Sequence, residues 1–163
     1  KKENQMTKTK TNAMRILDNH HIEYDIITYT NIDGKIDGIS VAEKIGKDPK
    51  EVFKTLVAQG SSGSIFVFII PVAEELDLKK AAKATGEKKV EMIHVKDITK
   101  YTGYIRGGCS PIGMKKEYLT FIHESALSLD TMVISGGRIG VQMELRVEKL
   151  KKITKATIVD VIK

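Results

Sequence analysis

The chain has no tryptophan, one cysteine and three prolines among its 163 residues, and only 6% of it is aromatic. A lone cysteine excludes an internal disulfide, which fits a reducing compartment. So few aromatics cannot form the ladder on which single-stranded bases stack. The longest apolar run, residues 65–73, is broken by Pro71 and falls far short of the ~20 residues that cross a bilayer. No N-terminal stretch pairs a basic region with an apolar segment, so no signal peptide is expected and cytoplasm is the expected compartment. His20, His21, His94 and His123 show no metal-ligand spacing with Cys, Asp or Glu, and neither metal nor cofactor is expected.

Charge is plentiful. Lys+Arg number 27 against 21 Asp+Glu, a formal +6, which favours polyanions such as RNA through phosphate neutralisation. The excess is lysine scattered along the chain, and an ordinary solvated surface accounts for it nearly as well. Any RNA contact is therefore expected to be with the backbone rather than with bases. Neither DNA nor a membrane is an expected partner.

Hydrophobic patterning predicts one domain over residues 9–163 behind a polar, disordered tail, residues 1–8. Short amphipathic helices are expected over residues 11–20, 40–45 (capped by Ser40, ended by Gly46), 78–85 (capped by Asp77, ended by Gly86) and 147–153. Asp48-Pro49 reads as a further helix start, of a turn or so, and Asp97 opens another short helix. Strands are expected over residues 22–30, 52–59, 65–71, 90–95, 118–123, 131–134, 141–145 and 157–162. Many strands joined by turns too short for helical crossovers argue for an α+β domain, a mostly antiparallel mixed sheet decorated with short helices.

Three segments stand out: VFKTL at residues 52–56, GYIRGGCSPIG at 103–113 and ISGGRIG at 134–140. In a strand Lys54 shares its face with Val52 and Leu56, so it either snorkels to the rim or points into a cleft. A partly buried ammonium there can stabilise developing negative charge on a carbonyl or phosphate. The loop Gly107-Gly108-Cys109-Ser110-Pro111-Ile112-Gly113 lets the backbone approach a ligand, and its N–H groups can form an oxyanion hole or phosphate nest. It is not a P-loop, because Met114 intervenes before Lys115, and it lacks the strand–turn–helix context of a dinucleotide fingerprint. Ser135-Gly136-Gly137 reads as a second such loop. Each also reads as a plain turn. No Gly-x-Ser-x-Gly elbow is present and neither serine has an identifiable base, so a serine triad is unsupported. Cys109 reads as a passive thiol.

The order VFKTL, IIPVAEELDLKKAAKATGEKKVEM, TGYIRGGCSPIGMKK and ISGGRIG resembles the YbaK/EbsC family, relatives of the editing domain inserted in bacterial prolyl-tRNA synthetases. The likeness runs from about Lys10 to the C-terminus. It implies a barrel-like antiparallel sheet and a free-standing deacylase that clears cysteine from Cys-tRNA(Pro), and also from Cys-tRNA(Cys). It implies a central role for Lys54 at the aminoacyl-tRNA 3′ end, with Tyr29, Gly107, Gly108, Ser110, Pro111, Gly113, Ser135, Gly136 and Gly137 lining the pocket. Prolyl-tRNA synthetase is the implied partner. The mechanism implied uses the substrate's own thiol as nucleophile, releasing tRNA and a thiolactone. Gln142 departs from the pattern, since some members carry aspartate there, and Arg138 stands where a basic pair is common. Two other functions compete: deacylation of another mischarged tRNA such as Ala-tRNA(Pro), and a non-catalytic tRNA- or synthetase-binding regulator.

Overall fold

Helix starts and stops follow from single side chains. Residues 10–163 are described, in a computed structural model; the tail expected over residues 1–8 lies outside them. α1 (Asn12–Asn19) begins where the Thr11 hydroxyl accepts the Met14 N–H. α2 (Gly38–Ile45) ends on left-handed Gly46, as expected, but its cap is Asp37, which accepts the Ser40 N–H. Ser40 is thus a donor inside the first turn rather than the cap. α3 (Leu78–Thr85) runs from an Asp77 cap to left-handed Gly86 as the sequence predicts. α4 (Ile98–Thr102) follows a 3₁₀ turn, Val95–Asp97, and α5 (Val147–Thr154) precedes the last strand. Residues 48–51 form a turn instead of a helix, closed by the Glu51 N–H on the Asp48 carbonyl. The chain must already be extended at Val52, which bridges another strand.

The strands are β1 (Asp25–Thr28), β2 (Phe53–Gly60), β3 (Ile65–Pro71), β4 (Val90–Met92), β5 (Leu119–His123), β6 (Thr131–Arg138), β7 (Val141–Arg146) and β8 (Thr157–Val159). They form a three-stranded sheet, β1-β7-β6, and a five-stranded sheet, β4-β2-β3-β5-β8. Pairing is antiparallel except at β3–β5 and β5–β8. The α+β class and mostly antiparallel pairing therefore hold. Barrel closure does not: a barrel leaves no strand edge unpaired, and here β1, β4 and β8 each lie at the end of a sheet. The sheets touch through one parallel bridge, Val52 with Val133, where the Val133 N–H donates to the Glu51 carbonyl.

Alternation along β2 decides where Lys54 goes. Phe53 joins the main core, which lies between the sheets and includes Ile69, Ile122, Ile134 and Met143, with α1 and α5 packed against it. Lys54, Leu56 and Ala58 turn to the other face, opposite Ile70, Phe68 and Phe66. There α3 covers a second cluster built on Phe68, Ile70 and Phe121. Val52 lies in a third, small cluster with Val133, Val72 and Ala42 of α2. Lys54 therefore emerges where the second and third clusters meet. Among the described residues no helix is long and apolar enough to cross a membrane.

His123 closes β5 and is 5% exposed, its Nδ1 accepting the Val161 N–H. Burial pulls the ring below its ordinary pKa of 6.5, while Asp160, Glu124 and Glu74 pull it back up and Lys80 opposes them. A folded-state pKa below the unfolded one gives stability that is complete above about 6.5 and is lost as pH falls through the folded value. The His123 ring protons should titrate by NMR with a midpoint below 6.5, and the urea midpoint should fall between pH 7.5 and 5.5. A midpoint at or above 6.5 would contradict this account.

Candidate functional site

ISGGRIG is mostly strand, contrary to its reading as a loop. Ser135, Gly136, Gly137 and Arg138 belong to β6, with a bulge between Ser135 and Arg138 and a turn at Ile139–Gly140. The bulge exists because Thr11 intrudes: its hydroxyl donates to the Gly136 carbonyl, and a Cβ on Gly137 would lie 2.9 Å from the Thr11 Cβ. Gly137 has φ +105°, a conformation side chains disfavour. The Ser135 hydroxyl accepts the Gly137 N–H across this bend.

The Val52–Val133 bridge aligns the site. Two residues on from each lie Lys54 and Ser135, and alternation turns each to the same face as its bridged neighbour. Gln142 stands directly across β7 from Ser135, with Ile27 of β1 beyond it. Gln142 is 6% exposed and belongs to the same face. The Lys54 ammonium makes no hydrogen bond or ion pair to another described residue. Burial holds its pKa below the usual lysine value, with Glu75 and Glu74 pulling it back up. It is a half-buried cation without a committed partner, the state expected of a side chain that meets an anion only when a ligand arrives.

The glycine loop packs against the bulge. A Cβ on Gly108 would lie 2.8 Å from the Arg138 Cα and 2.9 Å from the Ile139 N, and one on Gly107 would lie 2.9 Å from the Ile36 Cδ1. Tyr29 joins the same corner, its N–H donating to the Gly140 carbonyl, with the Lys44 ammonium 5.7 Å from its ring centre. Lys44 also holds the Thr30 and Lys35 carbonyls and Asp33, fixing the loop beyond Tyr29. The Tyr29 hydroxyl is buried with no hydrogen-bond partner among the described residues. Such an orphan costs about 1–3 kcal/mol unless something binds it.

Ser110 sits differently from its expected pocket-lining position. It is fully buried, its Oγ accepting the Ile112 N–H, so its side chain shapes the loop. Pro111 is buried too, and Gly113 faces Asn12 and Tyr104 on the far side. The Asn12 amide donates to the Gly113 carbonyl and the Tyr104 hydroxyl to that of Ile112. The Cys109 and Ser110 N–H groups donate to no other described residue. Burial pushes the Cys109 thiol up to about 11, so it is no thiolate at neutral pH. No His, Asp or Glu hydrogen-bonds either serine, and no metal-binding cluster of His, Cys, Asp or Glu occurs among the described residues. Pro111 and Gly113 also line a separate groove of about 850 Å³, which Lys54, Tyr29 and Ser135 do not reach.

A cation with no partner among the described residues, with no activated nucleophile near either serine, is a candidate site for an electrophilic or phosphorylated ligand rather than a hydrolytic triad. The aminoacyl-tRNA editing domain model matches residues 38–153, and the chain belongs to that family. EbsC of Enterococcus faecalis, named as a candidate Cys-tRNA(Pro)/Cys-tRNA(Cys) deacylase, is 45% identical over 148 residues, 91% of this chain and 90% of that protein. Two solved structures share the fold. One, a hypothetical protein, superposes with a TM-score of 0.85 at 19% identity over 93% of this chain and 99% of its own. The other is a candidate trans-editing enzyme for prolyl-tRNA synthetase, with a TM-score of 0.80 at 20% identity over 93% and 97%.

Gly108 lacks room for one carbon. Because Arg138 and Ile139 present backbone there, Gly108→Ala must displace the loop, at about 1–3 kcal/mol. The thermal midpoint should drop by roughly 2–10 °C. An unchanged midpoint would show that loop and bulge are not in register contact.

Proposed function

We propose that this chain is an aminoacyl-tRNA deacylase that removes cysteine from Cys-tRNA(Pro), with Cys-tRNA(Cys) as a second substrate. The observation that carries the reading is the half-buried Lys54 ammonium, without a partner among the described residues and two residues past the Val52–Val133 bridge, with no activated nucleophile nearby. The activity for which the 45% identical relative is named supports the same substrate class.

On this reading the substrate supplies the nucleophile. The cysteine thiol loses its proton, and its sulfur attacks the ester carbonyl carbon. The carbonyl oxygen becomes an oxyanion, which Lys54 and the Cys109 N–H group stabilise. Collapse re-forms the carbonyl and breaks the bond to the terminal ribose oxygen, which takes up a proton. The products are uncharged tRNA and a cyclic thiolactone. Holding sulfur and carbonyl in attack geometry can supply ~7–11 kcal/mol, so no general base of the protein is required. Tyr29 offers its orphan hydroxyl to the bound aminoacyl end, and Gly107, Gly108, Gly136 and Gly137 keep the walls close. Selectivity for the tRNA comes from association with prolyl-tRNA synthetase in the cytoplasm, since so small a domain has no evident reach to an anticodon.

The test is release of labelled cysteine from Cys-tRNA(Pro), with Ala-tRNA(Pro) and Lys54→Ala as controls. Cysteine should be lost, alanine retained, and Lys54→Ala should slow release by about 10²–10³ with its thermal midpoint preserved. Equal loss of alanine would overturn the thiol mechanism. A full rate in Lys54→Ala would remove the lysine from the site, and retention of both amino acids would leave a binding protein.

A further inference from the structure

The groove beyond the glycine loop has no part in the chemistry above, yet its composition is distinctive. Its floor is apolar, with Ile16 of α1, Ile112 and Ile153 of α5. Its rim carries Lys116, Lys149, Lys152 and Lys155 against one carboxylate, Glu117. Lys155 and Glu117 pair loosely at 3.7 Å, both largely exposed. The ammonium groups of Lys116, Lys149 and Lys152 make no ion pair or hydrogen bond with another described residue, and all three residues are exposed. Lys149 and Lys152 lie three apart on α5 and so share a face. The helix dipole explains a lysine in the last turn of α5. It does not explain Lys149 one turn earlier, nor Lys116 on a different segment.

We infer that this groove binds the phosphate backbone of the tRNA's acceptor end, a second contact surface for nucleic acid distinct from the aminoacyl pocket. The inference rests on the deacylase reading for the identity of the nucleic acid. The 107–113 loop is the shared wall: Gly108 faces the bulge of β6, while Pro111 and Gly113 line the groove. Five residues from Gly108 to Gly113 span at most ~17–18 Å of chain. Successive phosphates of a single strand lie roughly twice as far apart as the 3.4 Å rise per nucleotide along a duplex axis. A strand whose 3′ end lies at Gly108 thus has its next few phosphates within reach of the rim. The cationic rim matches phosphates, and the isoleucine floor accepts the less polar ribose edges between them.

The test compares wild type with a Lys116→Ala/Lys149→Ala/Lys152→Ala variant and with a control lysine variant, Lys83→Ala/Lys88→Ala, on exposed positions near α3. Binding of uncharged tRNA(Pro) transcript and of adenosine 5′-monophosphate, the terminal nucleotide alone, is measured over a range of salt. The groove variant should bind the transcript at least tenfold more weakly, with the salt slope reduced by about two to three. The control should stay within about twofold of wild type and the mononucleotide should lose much less than the transcript. Equal weakening in the control would reduce the effect to net charge, and equal weakening toward the mononucleotide would move the lysines to the aminoacyl pocket; either overturns the inference. An unaltered groove variant overturns it too. Because the probe is uncharged, wild type that binds the transcript through these lysines but releases no cysteine would defeat the deacylase reading and leave the groove standing.

Discussion

Everything at the site depends on one pair of residues, Val52 and Val133. Their parallel bridge is where the two sheets touch edge to edge, and it sits in a cluster small enough to be covered by α2 and Val72. Were the bridge displaced by one residue, alternation would bring the opposite face of β2 to the seam. Phe53 would leave the main core and Lys54 would enter it. The register is held by the cost of that exchange, since a buried lysine without an anion is far more expensive than an exposed one. The position of the cation is therefore a consequence of core packing, with no need for a dedicated support.

The same seam explains why glycine is concentrated where it is. A Cβ would lie 2.8 Å from the Arg138 backbone at Gly108, 2.9 Å from Thr11 at Gly137, and 2.9 Å and 2.7 Å from the Ile36 and Val141 side chains at Gly107 and Gly136. Gly108 lets the loop's main chain lie directly against that of β6. It also makes the site rigid, because the loop is tied at both ends: by Tyr104 and Asn12 to the 112–113 carbonyls, and by Gly108 against β6. A site that works by orientation needs this stiffness more than it needs reactive side chains.

Much of the fold was legible in the sequence, and the failures have physical causes. The caps and stops of α3, and Gly46 at the end of α2, are local chemistry and were read correctly. The expected helix at Asp48-Pro49 failed because the bridge at Val52 demands extended chain, a tertiary requirement no local pattern carries. Barrel closure failed for a similar reason, as strand count does not report which edges meet. At the site, alternation alone exposed Lys54. Ser135-Gly136-Gly137 looked like a loop because paired glycines usually break strands, whereas here they mark a bulge made by Thr11. Thr11 and Gln142 join the site only through contacts remote in sequence, and Glu74 and Glu75 act on Lys54 from beyond the end of β3. Ser110, which the resemblance puts in the pocket lining, is fully buried with its Oγ on the Ile112 N–H.

Gln142 sets the charge opposite Ser135. A carboxylate at that position would stand across from Ser135, one strand further from β2 than β6 is, and would add a negative charge to that face. With glutamine there, the carboxylates that act on the lysine are Glu75 and Glu74, and neither forms an ion pair with it. An uncommitted ammonium is a better electrostatic partner for a transient oxyanion, because no existing ion pair must be broken before it can act. On the deacylase reading proposed above, glutamine at this position suits charge stabilisation of an oxyanion by Lys54 rather than acid–base chemistry.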